Sequence, residues 1–292
     1  MMKRSSILVV MGLLAIPSLG GAQQVGPARG SLVIVGGAMR DPAILQRFIA
    51  LAGGPHAAIV FIPTAGGGDD YDQFYGGLNA FRAQGATNLT VLHTNDRVEA
   101  DSPEFVKPIT EATGVWFPGG RQWRLVDAYG GTLTETEIHK VLGRGGVIGG
   151  SSAGASIQGS YLARGDSQTN TIMMGDHEVG FGYLKNTAID QHVLKRNRHF
   201  DMIEIVEARP ELLGIGIDEN TAIVVTGDQF EVIGESYVLI YDNQKTINGS
   251  GRFYFLAPGD RFNLVTREGS RPTRSTQPVG PQEQNPWPGG RP

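Results

Sequence analysis

Residues 145–156 read GGVIGGSSAGAS. A short apolar run enters a pair of glycines, two serines follow, and only small residues come after. Glycine costs conformational entropy and is kept where the backbone must bend or approach something closely. The spacing G-x-S-x-G fits when centred on Ser152, with Gly150 and Gly154 as the outer pair, and fails when centred on Ser151, where the last position is Ala153. That pattern belongs to a strand, a sharp turn carrying a serine, and a helix. It predicts a strand ending at the glycine pair, Ser152 held at the turn, and a helix opening at Ala153. The N–H of Ala153 would then point at the serine as an oxyanion donor, and the strand exit FPGG (117–120) would supply a second, from Gly120.

Runs like the one before Gly149 recur upstream. SLVIVGGAM (31–39), AAIVFIPTA (57–65), NLTVLHT (88–94) and TGVWFPGG (113–120) are continuous apolar segments, which suit strands buried on both faces of a parallel sheet. Helix-like segments separate them. Residues 41–53 open with Asp and Pro and close on Gly; residues 69–85 carry apolar residues at helical spacing; residues 132–145 open with Thr132 and Glu135 in capping-box spacing. Alternating strand and helix with short links argues for an α/β fold, a mostly parallel central sheet with helices on both faces. Beyond about residue 165 closely spaced strand patterns (221–242, 252–265) predict hairpins flanking that sheet. Ligands of such sheets bind beyond the carboxyl ends of the strands. The glycine pairs at 36–37, 119–120 and 149–150 lie at those exits.

The chain has 292 residues, 25 basic and 29 acidic, a net charge of −4, and no cysteine. Disulfides and thiolate ligands are excluded, and nothing marks a nucleic-acid-binding surface. Lys3 and Arg4 precede an apolar run from Ile7 to Leu19, and Gly20 and Ala22 occupy cleavage-site positions, so residues 1–22 read as a signal peptide. The run is shorter than the roughly 20 residues of a membrane helix, so export to periplasm or medium is expected, with no membrane association after cleavage. Residues 31–268 are expected to form one domain. The Pro- and Gly-rich stretch 269–292 reads as a flexible tail.

A serine hydroxyl needs a base within hydrogen-bond reach, and the base needs an orienting acid. Of the six histidines, His192 stands out, following an apolar segment in DQHVLKRNRHF (190–200). The acid candidates are Asp218 and Glu219, which interrupt the apolar stretch LLGIGIDENTAIVV (212–225). Spacing does not decide which of them faces the histidine. A metal site of His177, His192 and Asp190 is a rival arrangement, but no paired-ligand spacing such as H-x-x-x-H supports it, and no cofactor is expected.

Taken together, GGSSAGAS, DQHVLKRNR, GIGIDENTA and FPGGRQ resemble the cyanophycinase and peptidase E family over about residues 31–242. The resemblance implies a class I glutamine-amidotransferase-like fold of the flavodoxin-like, three-layer kind and a serine-type peptidase. It implies Ser152 as nucleophile, His192 as base and Glu219 as acid. Gly120 and Ala153 match oxyanion donors; Gln122, Asp190, Gln191, Arg196 and Arg198 match substrate-pocket positions, with Asp190 expected to pair with a substrate guanidinium. The activity implied is cleavage of cyanophycin to β-aspartyl-arginine dipeptides, without a cofactor, and a homodimer is a compatible assembly. The chain departs from the pattern at Arg121, at Val193 and at Asp201, where a third basic residue is usual. The same triad acting on aspartyl or isoaspartyl dipeptides, and a non-catalytic binding protein of the same fold, are the alternatives.

Overall fold

The computed structural model describes residues 24–245 and 251–271. The predicted signal peptide and nearly all of the predicted tail lie outside these residues.

A nine-stranded sheet forms the centre. Its parallel part comprises β1 (Ser31–Val35), β2 (Ile59–Phe61), β3 (Leu89–Val91), β4 (Gly114–Phe117) and β5 (Val147–Ser151), in the order β1-β5-β4-β2-β3. The helices between them are α1 (Pro42–Ala52), α2 (Leu78–Ala83), α3 (Arg97–Ala100), α4 (Pro103–Glu111), α5 (Trp123–Tyr129) and α6 (Leu133–Gly143); α7 (Ala153–Ser156) follows β5. Both faces of β1 are buried, and its residues alternate between two cores. Leu32 and Ile34 join one, Val33 and Val35 the other. Side chains of a strand point to opposite faces in turn, so an unbroken apolar run is what a doubly covered strand requires. On the α1–α2 side Trp116 packs edge-on against Phe48 and Phe81, with centroids 4.9 and 5.1 Å away.

The second half of the chain does more than add hairpins. The strands β6 (Gly159–Tyr161), β7 (Leu184–Gln191) and β8 (Leu213–Ile217) pair in parallel as the heart of a second sheet. The helix α8 (Met202–Ala208) lies between β7 and β8. The hairpin strands β9 (Thr221–Thr226) and β10 (Gln229–Gly234) extend the central sheet beyond β1. β11 (Val238–Tyr241) and β12 (Tyr254–Leu256) extend the second sheet instead. β13 (Arg261–Asn263) and β14 (Glu268–Ser270) complete the central sheet's edge. Ile189, Ile215 and Ile217 of the second sheet share a core with Ile34, Val115 and Ile148 of the first. A second sheet therefore covers part of one face, where the sequence pattern predicts helices with hairpins flanking the sheet. Strand pairing runs through Ser270, two residues into the predicted tail.

Local readings differ in three places. Asp41 caps α1 through a bond from the Ala43 N–H, as expected, and Gly53 ends it in the left-handed region. Residues 69–77 are not helical. Tyr71 OH accepts the Gly68 N–H, Asp72 accepts that of Phe74, and the helix begins only after Gly76-Gly77. The capping box at α6 is not made. Glu135 accepts the Gly131 N–H at 2.6 Å, but the Thr132 hydroxyl turns to the Tyr129 carbonyl at 2.7 Å. The helix expected after Ser152 is one turn long, because the chain enters β6 at Gly159.

Candidate active site

The carboxyl ends of β1, β5, β7 and β8 meet, and three side chains converge there. Ser152 stands at φ 58°, ψ −114°, a sparsely populated conformation that costs on the order of 1–3 kcal/mol. The surroundings over-determine it. Its N–H donates to the Val35 carbonyl at 3.0 Å, and its carbonyl accepts from Ala155 at 2.9 Å. A Cβ on Gly154 would fall 2.0 Å from the Phe117 carbonyl oxygen, so the turn and β4 touch backbone to backbone. That contact is the physical content of the second glycine of the motif.

His192 is the first residue after β7 and is held by its N–H on the Gly36 carbonyl, 3.0 Å away. Its Nε2 lies 3.0 Å from Ser152 Oγ and its Nδ1 2.8 Å from Glu219 Oε1. The imidazole is only 7% exposed and the carboxylate 14%, so little water competes for either bond. Burial is the strongest influence on the imidazole and lowers its pKa; the hydrogen bond to Glu219 works the other way, and the Arg196 charge adds to the lowering. The net depression keeps the ring neutral at neutral pH. With its Nδ1 proton turned to Glu219, it offers a lone pair on Nε2 to the hydroxyl.

The two adjacent carboxylates do different things. Asp218 Oδ1 accepts the N–H groups of Leu194 and Lys195 at 3.1 and 2.9 Å, and its Oδ2 accepts Ser236 Oγ at 2.7 Å. It clamps the turn that follows His192, while Glu219 meets the ring. Asn220, unremarked in the sequence, continues the arrangement. It accepts the Arg40 and Asp41 N–H groups at 2.6 and 2.7 Å, fixing the loop after β1. An asparagine after two acids is an ordinary turn signal, and only the partners distinguish it.

The Gly119-Gly120 exit lies over the serine: a Cβ on Gly119 would stand 3.2 Å from Ser152 Cβ. Neither the Gly120 nor the Ala153 N–H has a main-chain acceptor among the described residues. Serine, imidazole, carboxylate and two nearby N–H donors are the groups that acyl transfer through a tetrahedral oxyanion uses.

The expected substrate contacts divide. Arg196 is exposed and Arg198 largely buried, and both charges act on His192. Gln191 is buried and its Oε1 accepts Arg198 Nη1 at 3.2 Å, so it supports that arginine. Gln122 is buried too, its amide donating to the carbonyls of Ala163 and Arg164 at 2.7 and 2.9 Å. Arg121 reaches the same loop through the carbonyls of Asp166 and Thr169. For Asp190 the expectation is corrected. It is fully buried and forms a two-pronged pair with Arg164, Nε to Oδ1 at 2.8 Å and Nη2 to Oδ2 at 3.0 Å, so it has no face to offer a substrate guanidinium. Arg164 is the residue the sequence reading missed, since a lone arginine in a loop carries no signal of its partner. His177 pairs with Asp127 and Asp176 rather than with His192, and no cluster of three metal-ligating side chains is present among the described residues.

The sequence model of peptidase family S51 matches residues 32–233. The cyanophycinase of Geminocystis herdmanii is 32% identical over 266 residues, 82% of this chain and 96% of that protein. The cyanophycinase of a Nostoc species is 30% identical over 264 residues, covering 81% and 86%. Among solved structures, a peptidase from an acI-B1 Actinobacterium superposes with a TM-score of 0.61 over 83% of this chain and 98% of that one, at 24% identity, a likeness of fold.

Proposed function

This chain belongs to peptidase family S51 and is a serine-type peptidase, and we propose that Ser152 is its nucleophile, His192 its general base and Glu219 the acid that orients the base. His192 Nε2 takes the hydroxyl proton as Oγ bonds to the substrate carbonyl carbon. The Ala153 and Gly120 N–H groups receive the oxyanion, each worth about 3 kcal/mol in the transition state. The imidazolium then protonates the leaving amine as the C–N bond breaks. A water molecule, deprotonated by the same nitrogen, releases the acyl group and restores the serine. Glu219 accepts the hydrogen bond from His192 Nδ1 and holds that proton in place.

The observation that carries this reading is the two-bond relay through groups 27 and 40 residues apart in the chain, with the serine at a strained turn. The relatives' names make cyanophycin, poly-aspartate with arginine on each side-chain carboxyl, the first substrate to test. In that reading β-aspartyl-arginine is the product and Arg196 and Arg198 take a substrate carboxylate. Aspartyl or isoaspartyl peptides with a free carboxylate are the second reading, favoured by the prior occupation of Asp190. Secretion through residues 1–22 completes the proposal. The test is incubation of the mature protein with insoluble cyanophycin and with α- and β-linked aspartyl peptides, products read by mass spectrometry. Ser152→Ala should abolish release and labelling by a serine-reactive phosphonate; release undiminished in that variant would overturn the mechanism.

A further inference from the structure

We infer that Arg164 is a specificity-determining residue: its guanidinium fills a receptor that the fold has built around Asp190, so that the site selects a carboxylate-bearing substrate over a guanidinium-bearing one. The inference rests on the serine-peptidase reading and names the substrate class of that same site.

A guanidinium has five N–H donors, and all five of Arg164 are spent inside the protein. Nε and one Nη2 hydrogen meet Asp190, the other Nη2 hydrogen meets Asp201, and Nη1 reaches the carbonyls of Asn170 at 3.2 Å and Thr171 at 3.4 Å. Asp190 is closed to a substrate by burial, and its Oδ1 also accepts the Gln191 N–H at 2.9 Å. The backbone is bent to deliver this side chain. Arg164 lies at φ 56°, uncommon for a residue with a Cβ. Gln122 holds its carbonyl and that of Ala163, and its own N–H is fixed on the Met173 carbonyl at 3.0 Å.

The receptor belongs to the active site. Asp190 is two residues from His192 on the strand that delivers the base, and Gln122 is two residues beyond Gly120. Two carboxylates and two carbonyls form a guanidinium-binding shape, and the protein occupies it with its own side chain. Asp201 explains itself in the same way: an acid stands where a third basic residue is usual because Arg164 needs it. Arg196 and Arg198 are what remains for substrate, and Arg196 has no acidic partner among the described residues. Asp190 and Asp201 are taken up by Arg164 and Glu219 by His192, so no carboxylate forms an ion pair with Arg196 or Arg198 among the described residues. Burial and the neighbouring Arg164 and Arg196 charges lower the Arg198 pKa and outweigh Asp190 and Asp201, which act the other way.

The test compares α-linked aspartyl peptides identical except at one β-carboxyl, which is free, amidated with arginine, or amidated with citrulline, the neutral isostere of arginine. For the wild-type protein kcat/KM should be highest for the free carboxylate and at least roughly tenfold lower for the arginyl peptide, with citrullinyl above arginyl, the scale expected when a charged group finds no partner. In Arg164→Ala the vacated receptor should reverse the arginyl-to-citrullinyl ratio by roughly tenfold, and methylguanidinium should raise the melting temperature of the variant and not of the wild type. Should Arg164→Ala fail to fold, Asp201→Asn, at a carboxylate 37% exposed, keeps the test open: it should raise the preference for the free carboxylate over the arginyl peptide several-fold. A wild-type preference for arginyl over citrullinyl would overturn the inference. So would a folded Arg164→Ala with unchanged ratio and no response to methylguanidinium, or an unchanged ratio in Asp201→Asn. No turnover of any peptide, together with methylguanidinium stabilising Ser152→Ala/Arg164→Ala but not Ser152→Ala, would count against the peptidase reading while supporting this one.

Discussion

Gly37 closes the end of β1 against the His192 ring, and replacing it with alanine tests the proposed base directly. The residue lies at φ 136°, and an added Cβ would stand 2.2 Å from His192 Cε1 and 2.6 Å from Nδ1. Ordinary contact begins at 3.4 Å, so the ring must retreat by the 1.2 Å that separates the two distances. Nε2, now 3.0 Å from Ser152 Oγ, would then stand about 4 Å away, too far for a hydrogen bond. A misplacement of about 1 Å costs roughly 100-fold, and losing a general base outright costs about 10²–10⁴. Gly37→Ala should therefore lower kcat/KM by about 100-fold or more, about 2.7 kcal/mol of transition-state stabilisation. The assay is steady-state hydrolysis beside thermal unfolding, which shows whether the variant folds. In a Ser152→Ala background the same change should alter residual activity by less than about twofold, because the ring has no hydroxyl left to deprotonate. A folded Gly37→Ala variant keeping more than about a third of wild-type kcat/KM would refute the reasoning.

Because burial lowers the His192 pKa from 6.5, the acid limb of kcat/KM should have its midpoint below that value, activity being lost as the ring gains a proton. Glu219→Gln should move the midpoint lower still and reduce kcat by at least about 100-fold; a midpoint above 6.5 would contradict the assignment. The unfolded histidine takes its proton first as pH falls through 6.5, so the same group makes the fold less stable below that pH. His177 should do the opposite. Burial opposes its charge, but Asp127 and Asp176 outweigh burial and raise its pKa. Its contribution is then present below 6.5 and lost as pH rises through the raised value. Amide exchange in residues 163–178 should quicken over that range beyond the intrinsic rate, and Asp127→Asn should flatten the dependence. Asp218→Ala strands the Leu194 and Lys195 N–H groups and the Ser236 hydroxyl, at a cost of about 1–3 kcal/mol in urea unfolding. An unchanged unfolding midpoint would mean that the turn after His192 does not need its clamp.

Residues 31–35, 113–117 and 145–156 carried the α/β architecture in their order, because continuous apolar runs, caps and glycine turns act over a few neighbours and write their periods into the chain. The elbow at Ser152 is of this kind: small residues at 150 and 154 are demanded by the turn itself. The partners of charged groups are not. Sequence order treats Asp218 and Glu219 alike, yet one clamps a turn and the other meets an imidazole, because successive residues leaving β8 point different ways. The second sheet was equally hidden. β6, β7 and β8 pair across long connections, and nothing local marks which strand a given strand will join. Asp190 and Arg164 lie 26 positions apart, and only the folded chain, bringing the loop before β7 over that strand's end, turned an apparent substrate contact into an internal ion pair. The chain by itself determined a serine at a sharp turn in a parallel α/β sheet; tertiary packing alone decided which acid meets the imidazole and which arginine stays without an acidic partner, since those depend on distances between groups remote along the polymer.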